Sequence, residues 1–315
     1  MRVRAISVAA AACVAVGSMG AVSASAASAH KGRATARGAA GNIAAGVKPD
    51  PAAVKLLPAA VKKQGYISDA MQLAYPPTSF LSASEQPEGW NVDIARLLAA
   101  KLGLKLKIDN VPFDSIIAGI TGGRYDFTTT DMSATTARLK VLDMINYWNA
   151  GSSLGTRAGN PQHLNINNTS ICGKSIAVMT GSTQQQLYIP YLQQKCKAAH
   201  KTALNAVILP DVNTALTQLA SGRIEGIFYD TDSLAWAARQ ASRTFTLTQP
   251  QFKKPKKFGI DLVAIGLPKH SKLTKPMQLA MQSIMNSPLY RKALDRWGLG
   301  GGAIKKATIV TSTSN

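Results

Sequence analysis

The side chains best placed to do chemistry together are hydroxyls, carboxylates and one arginine that follow the ends of predicted strands. Arg138 lies five residues after Ser133, at the start of a predicted helix, and Asp230 ends the apolar segment "IEGIFYD". The residues of these strand-end clusters are Thr130, Asp131, Ser133, Arg138, Gly181, Ser182, Thr183 and Asp230. Ligands of open α/β sheets bind at the carboxyl ends of strands, where loops and helix N-termini expose unpaired N–H groups. These residues therefore predict a small-molecule site, and their types alone leave the ligand open.

Alternating strand and helix patterns predict the elements that hold these clusters. From Tyr66, the apolar spacing predicts strands at "YISDAMQLAY", "LKLKID" and "YDFTTT", separated by helices at "VDIARLLAAKLG" and "FDSIIAGITGG". The same order restarts at "SIAVM" and runs through "GSTQQQLYIPYLQQKC", "NAVILP", "VNTALTQLASGR", "IEGIFYD" and "DSLAWAARQ". The predicted fold class is therefore α/β, with two lobes built on mostly parallel, doubly wound sheets.

The same patterns give the domain boundaries. Residues 30–63 predict a flexible tether that ends in a short helix, because they are rich in alanine, glycine and lysine without a long period. A first lobe follows at 64–156 and a second at 157–258. Residues 259–301 supply one more strand and the C-terminal helices, and the periodicity of the sequence does not show where these elements pack. Residues 302–315 predict a loose tail.

The N-terminus has the form of an export signal. Two arginines precede the short apolar run "AISVAAAACVAVG", and small residues offer cleavage sites after Ala26 or Ala29. Residues 1–29 are therefore predicted to be a signal peptide, and the mature protein is expected outside the cytoplasm, in the periplasm, on the cell envelope or secreted. Attachment of a lipid at Cys13 is the alternative, since "AAA" before it resembles a lipoprotein cleavage site weakly. No later stretch reaches 18 continuous apolar residues.

Two cysteines remain in the predicted mature chain, Cys172 and Cys196. An even pair in an oxidising compartment favours one disulfide over two free thiols. A metal site would need further ligands, and the four histidines show no usable spacing. We therefore expect neither a metal nor a cofactor.

The chain carries a formal net charge of +20, from 36 Lys and Arg against 16 Asp and Glu. Such an excess is typical of proteins that bind nucleic acid or an anionic surface. Only "KKPKK" at 253–257 is a dense basic cluster, and aromatic residues make up just 6% of the chain. This distribution argues against nucleic-acid binding and favours attraction to an anionic envelope surface.

Five segments resemble one known family in order and spacing: "GWNVDIARLLAAKLGL", "PFDSIIAGITGGRYDF", "ATTARLKVLDM", "CGKSIAVMTGSTQ" and "LASGRIEGIFYD". The chain resembles, from Lys55 to Leu299, the extracellular solute-binding proteins of family 3, which feed polar amino-acid ABC transporters. The resemblance implies a two-lobed clamshell with a hinge of two strand crossovers. It also implies that the second lobe is inserted into the first and that the final helices return to the first lobe.

The resemblance implies a role for four polar residues. Arg138 matches the arginine that forks onto the α-carboxylate of the ligand, which suits its planar pair of donors. Ser133 matches a hydroxyl that assists it, and Thr183 matches a second-lobe donor at a helix N-terminus. Asp230 matches the carboxylate that pairs with the α-ammonium. A zwitterion held between the lobes would then favour the closed state.

Tyr75 and Phe113 match apolar walls around the ligand side chain, and two residues depart from the family pattern. Asp131 stands where many members have Gly or Ser, and Gln72 stands where several carry an acid. If Asp131 faces the cleft, its carboxylate would hold an ammonium or a cationic side chain. If it faces away, it is a turn residue.

Each assignment has a purely structural alternative. Arg138 is equally consistent with an exposed helix residue, and Asp230 and Thr183 with simple helix caps. Tyr75 and Phe113 are consistent with an ordinary core. The residues alone do not decide between these readings.

The predicted function is that of a non-enzymatic, monomeric receptor that binds an amino acid and delivers it to an ABC permease. One alternative is a dehydratase-like enzyme, for which Asp131 would be the candidate general acid or base. The other is an envelope sensing or adhesion protein, whose basic segments would contact anionic polymers. Turnover of candidate substrates and salt-dependent retention on envelope material distinguish the three.

Overall fold

The computed structural model describes residues 41–259 and 262–313. The predicted signal peptide, Cys13 and the first part of the predicted tether lie outside the described residues. The described chain forms two α/β lobes, and it crosses from one lobe to the other and back.

The first lobe is formed by two stretches of the chain, before and after the second lobe. Its first stretch contains α1 (Pro51–Lys55), α2 (Ala59–Gln64), β1 (Tyr66–Met71), β2 (Ala74–Tyr75), β3 (Ser79–Leu81), β4 (Pro87–Glu88), α3 (Trp90–Leu102), β5 (Lys105–Asn110), α4 (Phe113–Thr121), α5 (Thr136–Leu139) and β6 (Leu142–Asn149). The second lobe contains β7 (Ser152–Arg157), β8 (Ser175–Met179), α6 (Ile189–Ala198), β9 (Asn205–Leu209), α7 (Val212–Ala220), β10 (Gly226–Asp230), α8 (Thr231–Gln240) and β11 (Phe245–Leu247). The chain then returns to the first lobe with β12 (Leu262–Pro268), α9 (Thr274–Met285) and α10 (Pro288–Trp297).

The long strands of the first lobe form two separate pairs. β1 is parallel to β5, and β12 is antiparallel to β6. The two pairs meet at the predicted strand "YDFTTT", which contributes only isolated bridges, from Phe127 to Asp69 and from Thr128 to Gly266. The segment is irregular after Thr128 and meets β12 again at Ser133, which bridges to Val263. Asp131 lies in the irregular part between these bridges.

Helix α3 forms as its sequence predicts. Ile94, Leu97, Leu98 and Leu102 share one face and are all fully buried in the first-lobe core. The helix ends at Gly103, whose φ of 68° lies in the left-handed region that glycine adopts without a steric penalty.

The second lobe has a five-stranded sheet in the order β11-β7-β10-β8-β9. β10, β8 and β9 run parallel, while β7 is antiparallel to both of its neighbours, β10 and β11. Side chains alternate between two cores: Ala177 and Tyr229 pack on one face and Val178 and Phe228 on the other. This burial on both faces explains the almost continuously apolar strands.

The predicted disulfide is confirmed: Cys172 and Cys196 are bonded, with an S–S distance of 2.08 Å. It joins the loop before β8 to the last turn of α6. Helix α6 begins after a π-helical turn over Gln184–Tyr188. Pro190 lies in the first turn of α6, where its missing N–H removes no hydrogen bond of the helix.

The described part of the predicted tether is folded, in contrast to the sequence-based expectation. Ile43, Ala53 and Leu57 are buried in the first-lobe core. The backbone N–H of Asp50 donates to the carbonyl of Lys101 at 2.8 Å, which docks this segment on the end of α3. Three apolar side chains spread over 15 residues were too sparse to show a period, and they are buried by contacts with distant parts of the chain.

The predicted loose tail is also ordered up to residue 313. Ala307 and Val310 are buried, and the N–H of Val310 donates to the carbonyl of Met144 at 2.8 Å. Ile309 pairs with Ile145, so the tail adds an edge segment beside β6. The partner of this segment lies more than 160 residues away in the sequence, where local pattern cannot indicate it.

The crossover between the lobes lies earlier than the sequence pattern predicted. β7 pairs with β10 and β11 in the second sheet, so the chain leaves the first lobe at residues 150–151 rather than after residue 156. The return segment runs between β11 and β12. None of the helices in the described ranges has the length and apolar character needed to cross a bilayer.

Candidate functional site

A small cavity between the lobes is lined by residues of both. Its lining residues are Tyr75, Phe113, Asp131, Ser133, Arg138, Met179, Ser182, Thr183, Gln184, Tyr229 and Asp230. All the residues predicted to bind a ligand line this cavity except Thr130 and Gly181. Thr130 is buried beside Asp131, and Gly181 lies at the edge, where its carbonyl contacts Arg138.

Arg138 connects the two lobes across the cavity. It lies in the short helix α5, whose cap residue Thr135 accepts a hydrogen bond from the N–H of Arg138. The guanidinium Nη1 donates to the carbonyl of Ser133 at 2.9 Å, and Nη2 donates to the carbonyl of Gly181 at 3.0 Å. Nη1 also lies 3.4 Å from Oγ1 of Thr183. Arg138 is therefore not an exposed helix residue.

Arg138 is buried but remains charged at neutral pH. Only 4% of the residue is exposed, and its guanidinium lies 5.4 Å from the centre of the Phe113 ring. Burial lowers the pKa of Arg138 to about 10, while the charge of Asp230 acts in the opposite direction. At neutral pH this side chain remains a planar cation that can donate to a carboxylate.

The second-lobe turn after β8 presents small groups to the guanidinium. Gly181 has a φ of 74°, which favours glycine, and a Cβ there would lie 3.4 Å from the side chain of Asp114 in the first lobe. The N–H of Gly181 donates to Oε1 of Gln185, and the N–H of Gln185 donates to Oγ of Ser182. These bonds fix the turn so that Ser182 and Thr183 face the cavity.

Asp230 ends β10 and points into the cavity. It occupies the N-cap position of α8, yet its side chain makes no capping hydrogen bond. Instead its Oδ1 accepts a hydrogen bond of 2.7 Å from Nε2 of Gln184, which also donates to Oγ of Ser152. The simple capping alternative does not describe this residue, because Gln184 rather than the helix N-terminus fixes its carboxylate.

Asp131 and Asp232 form a second acidic feature, one from each lobe. No side chain among the described residues forms a hydrogen bond with either carboxylate, although all four oxygens are buried. Burial, followed by the charges of Asp232 and Asp230, raises the pKa of Asp131 well above its ordinary value. Burial raises the pKa of Asp232 to about 6, partly offset by the nearby N–H groups of Asp232 and Ser233.

Two buried carboxyls of raised pKa without partners are costly, so this position favours a cation or a proton. Asp131 itself lines the cavity. Of the two orientations left open by its sequence position, it therefore faces the cleft. Asp232 lies behind it and lines a separate groove near the interlobe crossover, beside Trp148 and Gln251.

Aromatic side chains close the other end of the cavity. Tyr75 and Tyr229 come from opposite lobes, with ring centres 5.4 Å apart. The hydroxyl of Tyr75 lies 2.9 Å from Oε1 of Gln72 and 3.3 Å from the carbonyl of Pro210 in the second lobe. Oε1 of Gln72 also accepts a hydrogen bond from the N–H of Phe113. Gln72 therefore organises this wall through its amide, at a position where several family members carry an acid.

A buried network behind the cavity positions the strand end that carries Asp131. Oδ2 of Asp69 accepts a 2.6 Å hydrogen bond from the hydroxyl of Thr129, and Oδ1 accepts from the N–H of the same residue. The hydroxyl of Tyr147 lies 2.7 Å from both Oδ1 of Asn91 and the carbonyl of Thr129. Burial raises the pKa of Asp69 to about 8. These contacts hold the backbone just before Asp131.

Sequence reasoning missed four residues of the site: Gln184, Tyr229, Met179 and Asp232. Gln184 adjoins Thr183, and Tyr229 and Met179 occupy the ends of the strands that deliver the predicted polar clusters. Their adjacency to predicted site residues was the available signal. Asp232 gave none, because its interaction with Asp131 joins residues about a hundred positions apart.

Comparison with known proteins identifies the family. Residues 67–300 match the bacterial extracellular solute-binding proteins, family 3, and the chain belongs to this family. The described residues contain no group of three or more His, Cys, Asp or Glu side chains that could hold a metal ion. The fold and the interlobe cavity are those of a two-lobed binding protein.

Individual relatives are distant but cover most of the chain. An arginine-binding protein of Corynebacterium glutamicum is 22% identical over 261 residues, which is 83% of this chain and 83% of the relative. Among solved structures, an ancestral arginine-binding protein bound to arginine has a TM-score of 0.65 at 22% identity and covers 74% of this chain and 98% of its own. An ancestral amino-acid-binding protein described as a precursor of cyclohexadienyl dehydratase has a TM-score of 0.64 at 20% identity. The match covers 76% of this chain and 97% of the ancestral protein.

Proposed function

We propose that this protein binds an amino acid with a cationic side chain, such as arginine, between its lobes and delivers it to an ABC permease outside the cytoplasm. The observation that carries the proposal is the charge pattern of the cavity. Arg138 offers a cation, while Asp131 and Asp230 offer carboxylates from different lobes. A ligand with one carboxylate and two cationic groups complements this pattern.

Each end of such a ligand has a partner in the cavity. Its α-carboxylate would accept hydrogen bonds from Nη1 and Nη2 of Arg138. In the structure these two nitrogens donate to the carbonyls of Ser133 and Gly181. Its α-ammonium would lie against Asp230, whose orientation Gln184 fixes. Its side-chain cation would neutralise Asp131, which has no hydrogen-bond partner among the described residues.

The energetic case rests on the unsatisfied carboxylates. A hydrogen bond to a charged group contributes about 1.5–3 kcal/mol, and an unpaired buried charge costs a comparable amount or more. A micromolar ligand needs about −8 kcal/mol in total, which two charged contacts and a carboxylate pair can supply. A neutral side chain leaves Asp131 unpartnered, so the site discriminates by charge.

Ligand contacts from both lobes also couple binding to closure. Groups from the first lobe (Asp131, Ser133, Arg138) and the second (Ser182, Thr183, Asp230) can contact one ligand only when the lobes are together. A ligand that prefers the closed state stabilises it by that difference in affinity. A permease that recognises the closed state would then receive only loaded protein.

The names of the relatives support the same ligand class. The Corynebacterium glutamicum relative is an arginine-binding protein, and the ancestral structure is bound to arginine. The geometry independently favours a ligand with two cationic groups, because Asp131 adds a second carboxylate to the cavity that also holds Asp230. The receptor role, the monomeric state and the location outside the cytoplasm are part of this proposal.

The test begins with protein stripped of ligand. Melting temperature and calorimetric affinity are measured for arginine, lysine, ornithine, citrulline and glutamine. Saturation at about 100 times the dissociation constant adds roughly 2.7 kcal/mol to the free energy of unfolding. Binding of arginine, lysine or ornithine that is at least tenfold tighter than binding of citrulline supports the proposal, and equal binding of citrulline and arginine refutes the cationic specificity.

The dehydratase-like alternative has one observation in its favour. Burial raises the pKa of Asp131 well above its ordinary value, a shift that is typical of carboxyls that act as general acids. A cationic ligand beside Asp131 would lower that pKa, which suits binding rather than proton transfer. Incubation with prephenate-type or arogenate-type acids distinguishes the two: product formation that is lost in Asp131→Asn would establish an enzyme.

A further inference from the structure

A second site lies apart from the cavity, in a groove with a volume of about 890 Å³ that we call the lysine groove. Its lining residues are Thr136, Leu139, Lys140, Lys254, Lys256, Lys257, Gly259, Thr311, Ser312 and Thr313. We propose that the lysine groove binds a linear anionic polymer of phosphate groups. The proposal is independent of the amino-acid site.

The groove is built where three distant segments meet. Helix α5 belongs to the first lobe, and the C-terminal segment pairs beside β6 of the same lobe. The third segment includes Phe252 and Phe258, which pack into a second-lobe core together with Tyr188. The groove therefore runs along the boundary between the lobes.

Specific contacts hold these segments together. The hydroxyls of Thr136 and Thr313 lie 2.9 Å apart and join α5 to the C-terminal segment. Gly259 has a φ of 71°, and a Cβ there would collide with the carbonyl of Thr313. The close approach of the backbone at this point requires glycine. The walls of the groove are thus fixed by packing rather than by flexible side chains alone.

The groove is strongly positive and contains no acidic lining residue in the part of the chain that the structure describes. Ion pairs elsewhere in the described part of the chain involve Arg96, Lys269, Arg291 and Arg296. Lys140, Lys256 and Lys257 are exposed and take no part in them. Three ammonium groups around one groove repel one another, and an anion that bridges them relieves this repulsion.

Lys257 is also partly positioned by its neighbours. Its ammonium lies 5.1 Å from the ring centres of both Tyr191 and Phe258. Such contacts with aromatic faces attract a cation while leaving its donors available. Thr311 also lines the groove and adds a hydroxyl donor, while the hydroxyls of Thr136 and Thr313 pair with each other.

The chemistry of the lining selects the kind of anion. Lysine ammonium groups are point charges on flexible stems, which suit phosphate oxygens in variable positions. No aromatic ring is among the described residues that line the groove, so it lacks the stacking surfaces typical of single-stranded nucleic-acid sites. A recessed groove admits a flexible chain, whereas the headgroups of a bilayer form a flat surface. A polymer with repeated phosphates can reach several lysines at once.

The test uses linear polyphosphate as the probe and the full mature protein. Binding is measured by calorimetry at low salt and over a salt series. The groove variant is Lys140→Gln, Lys256→Gln and Lys257→Gln in one chain. The matched control is Lys62→Gln, Lys63→Gln and Lys197→Gln, which removes the same charge from exposed lysines that do not line the groove.

We expect the groove variant to bind polyphosphate at least about tenfold more weakly and with a shallower dependence on salt, while the control changes about twofold or less. Replacement of the three groove lysines by arginine should retain binding, because it keeps the charge. Equal weakening by groove variant and control would overturn the proposal, since binding would then reflect the net charge of +20 alone.

Two further probes distinguish the source of the phosphate. Inorganic phosphate at the same concentration of phosphate groups should bind far more weakly than the polymer, and equal binding would reduce the site to a single-anion site. Vesicles of phosphatidylglycerol should bind the groove variant and the control alike. If only the groove variant lost vesicle binding, the ligand of the lysine groove would be a lipid surface and the polymer proposal would be wrong.

Discussion

Replacement of Asp131 by asparagine should stabilise the ligand-free protein and at the same time weaken its binding of arginine. The carboxyls of Asp131 and Asp232 are buried, no side chain among the described residues forms a hydrogen bond with them, and the charge of Asp232 raises the pKa of Asp131. Asparagine has nearly the same shape, removes one of the two charges, and brings an amide N–H₂ that can donate to Asp232. The substitution therefore turns a repulsive contact into a neutral or attractive one.

The magnitude follows from what acts on Asp131. Burial, followed by the charges of Asp232 and Asp230, raises the pKa of Asp131 well above its ordinary value, so this carboxyl destabilises the folded state at neutral pH. Asparagine does not titrate and removes this cost, while its buried amide still needs a partner, so we expect a gain of about 1–2 kcal/mol in the free energy of unfolding near pH 7.5. For a chain of this size, that gain raises the melting temperature by roughly 2–6 °C.

The pH dependence has a definite sign. A carboxyl whose pKa is higher in the folded state binds more protons there than in the unfolded chain. Its stabilising effect is therefore complete below the unfolded pKa of 3.8 and is lost as the pH rises through the raised pKa of the folded state, which is about 6 for Asp232. The difference in melting temperature between Asp131→Asn and the original protein should be small near pH 4 and largest above pH 7.

The assay is thermal unfolding of stripped protein at a series of pH values, with Glu85→Gln as the control. Glu85 is exposed in the turn between β3 and β4, so its substitution makes the same change in charge away from the cavity. A melting temperature of Asp131→Asn that is lower than that of the original protein above pH 7 would refute the electrostatic reasoning. It would mean that the carboxylate has a stabilising partner.

Three further substitutions or truncations test other parts of the structure. Arg138→Lys keeps the charge but loses the paired donors, so the affinity for arginine should fall by about 100-fold in calorimetry, and a change of less than threefold would show that the α-carboxylate binds elsewhere. Gln184→Leu removes the 2.7 Å hydrogen bond to Asp230 and should weaken binding roughly tenfold with little change in circular dichroism; unchanged affinity would mean that Asp230 needs no positioning. Truncation after Lys306 removes the buried Ala307 and Val310 and should lower the free energy of unfolding, measured in urea, by about 2–4 kcal/mol. Truncation after Ser312 keeps both residues and should have little effect. Equal stability of the two truncated proteins would show that the tail is loosely held.

The elements that sequence alone predicted best are those with local signals. Helix α3 has an apolar face with regular spacing and a terminal glycine, so its position was predicted nearly to the residue. The parallel strands β8, β9 and β10 are short apolar runs bounded by turn residues. These features depend on neighbouring residues, which any reading of the sequence includes.

The elements that were missed depend on distant partners. β6 and β7 follow one another with only residues 150–151 between them, and almost every residue of both is buried, so neither shows alternation. Ile43 is buried because it packs into the first-lobe core, and Val310 is buried because its segment pairs beside β6. Local pattern carries no information about either contact, and the predictions of a flexible tether and a loose tail failed for this reason.

The site shows the same division. Arg138, Thr183 and Asp230 follow strand ends, and the topology of an α/β sheet brings strand ends together. The orientation of Asp131 and its proximity to Asp232 depend on how the lobes meet, which sequence spacing does not determine. The most selective feature proposed for the site therefore needed the folded structure.

Calorimetric titration of stripped protein with arginine and with citrulline tests most directly whether the cavity selects a second positive charge. The two ligands differ little in shape, but citrulline lacks the charge that would neutralise Asp131. We expect arginine to bind at least tenfold more tightly and Asp131→Asn to reduce that preference to about twofold or less. Equal affinities in the original protein, or a preference that survives in Asp131→Asn, would contradict the assignment of Asp131 as the partner of a cationic side chain.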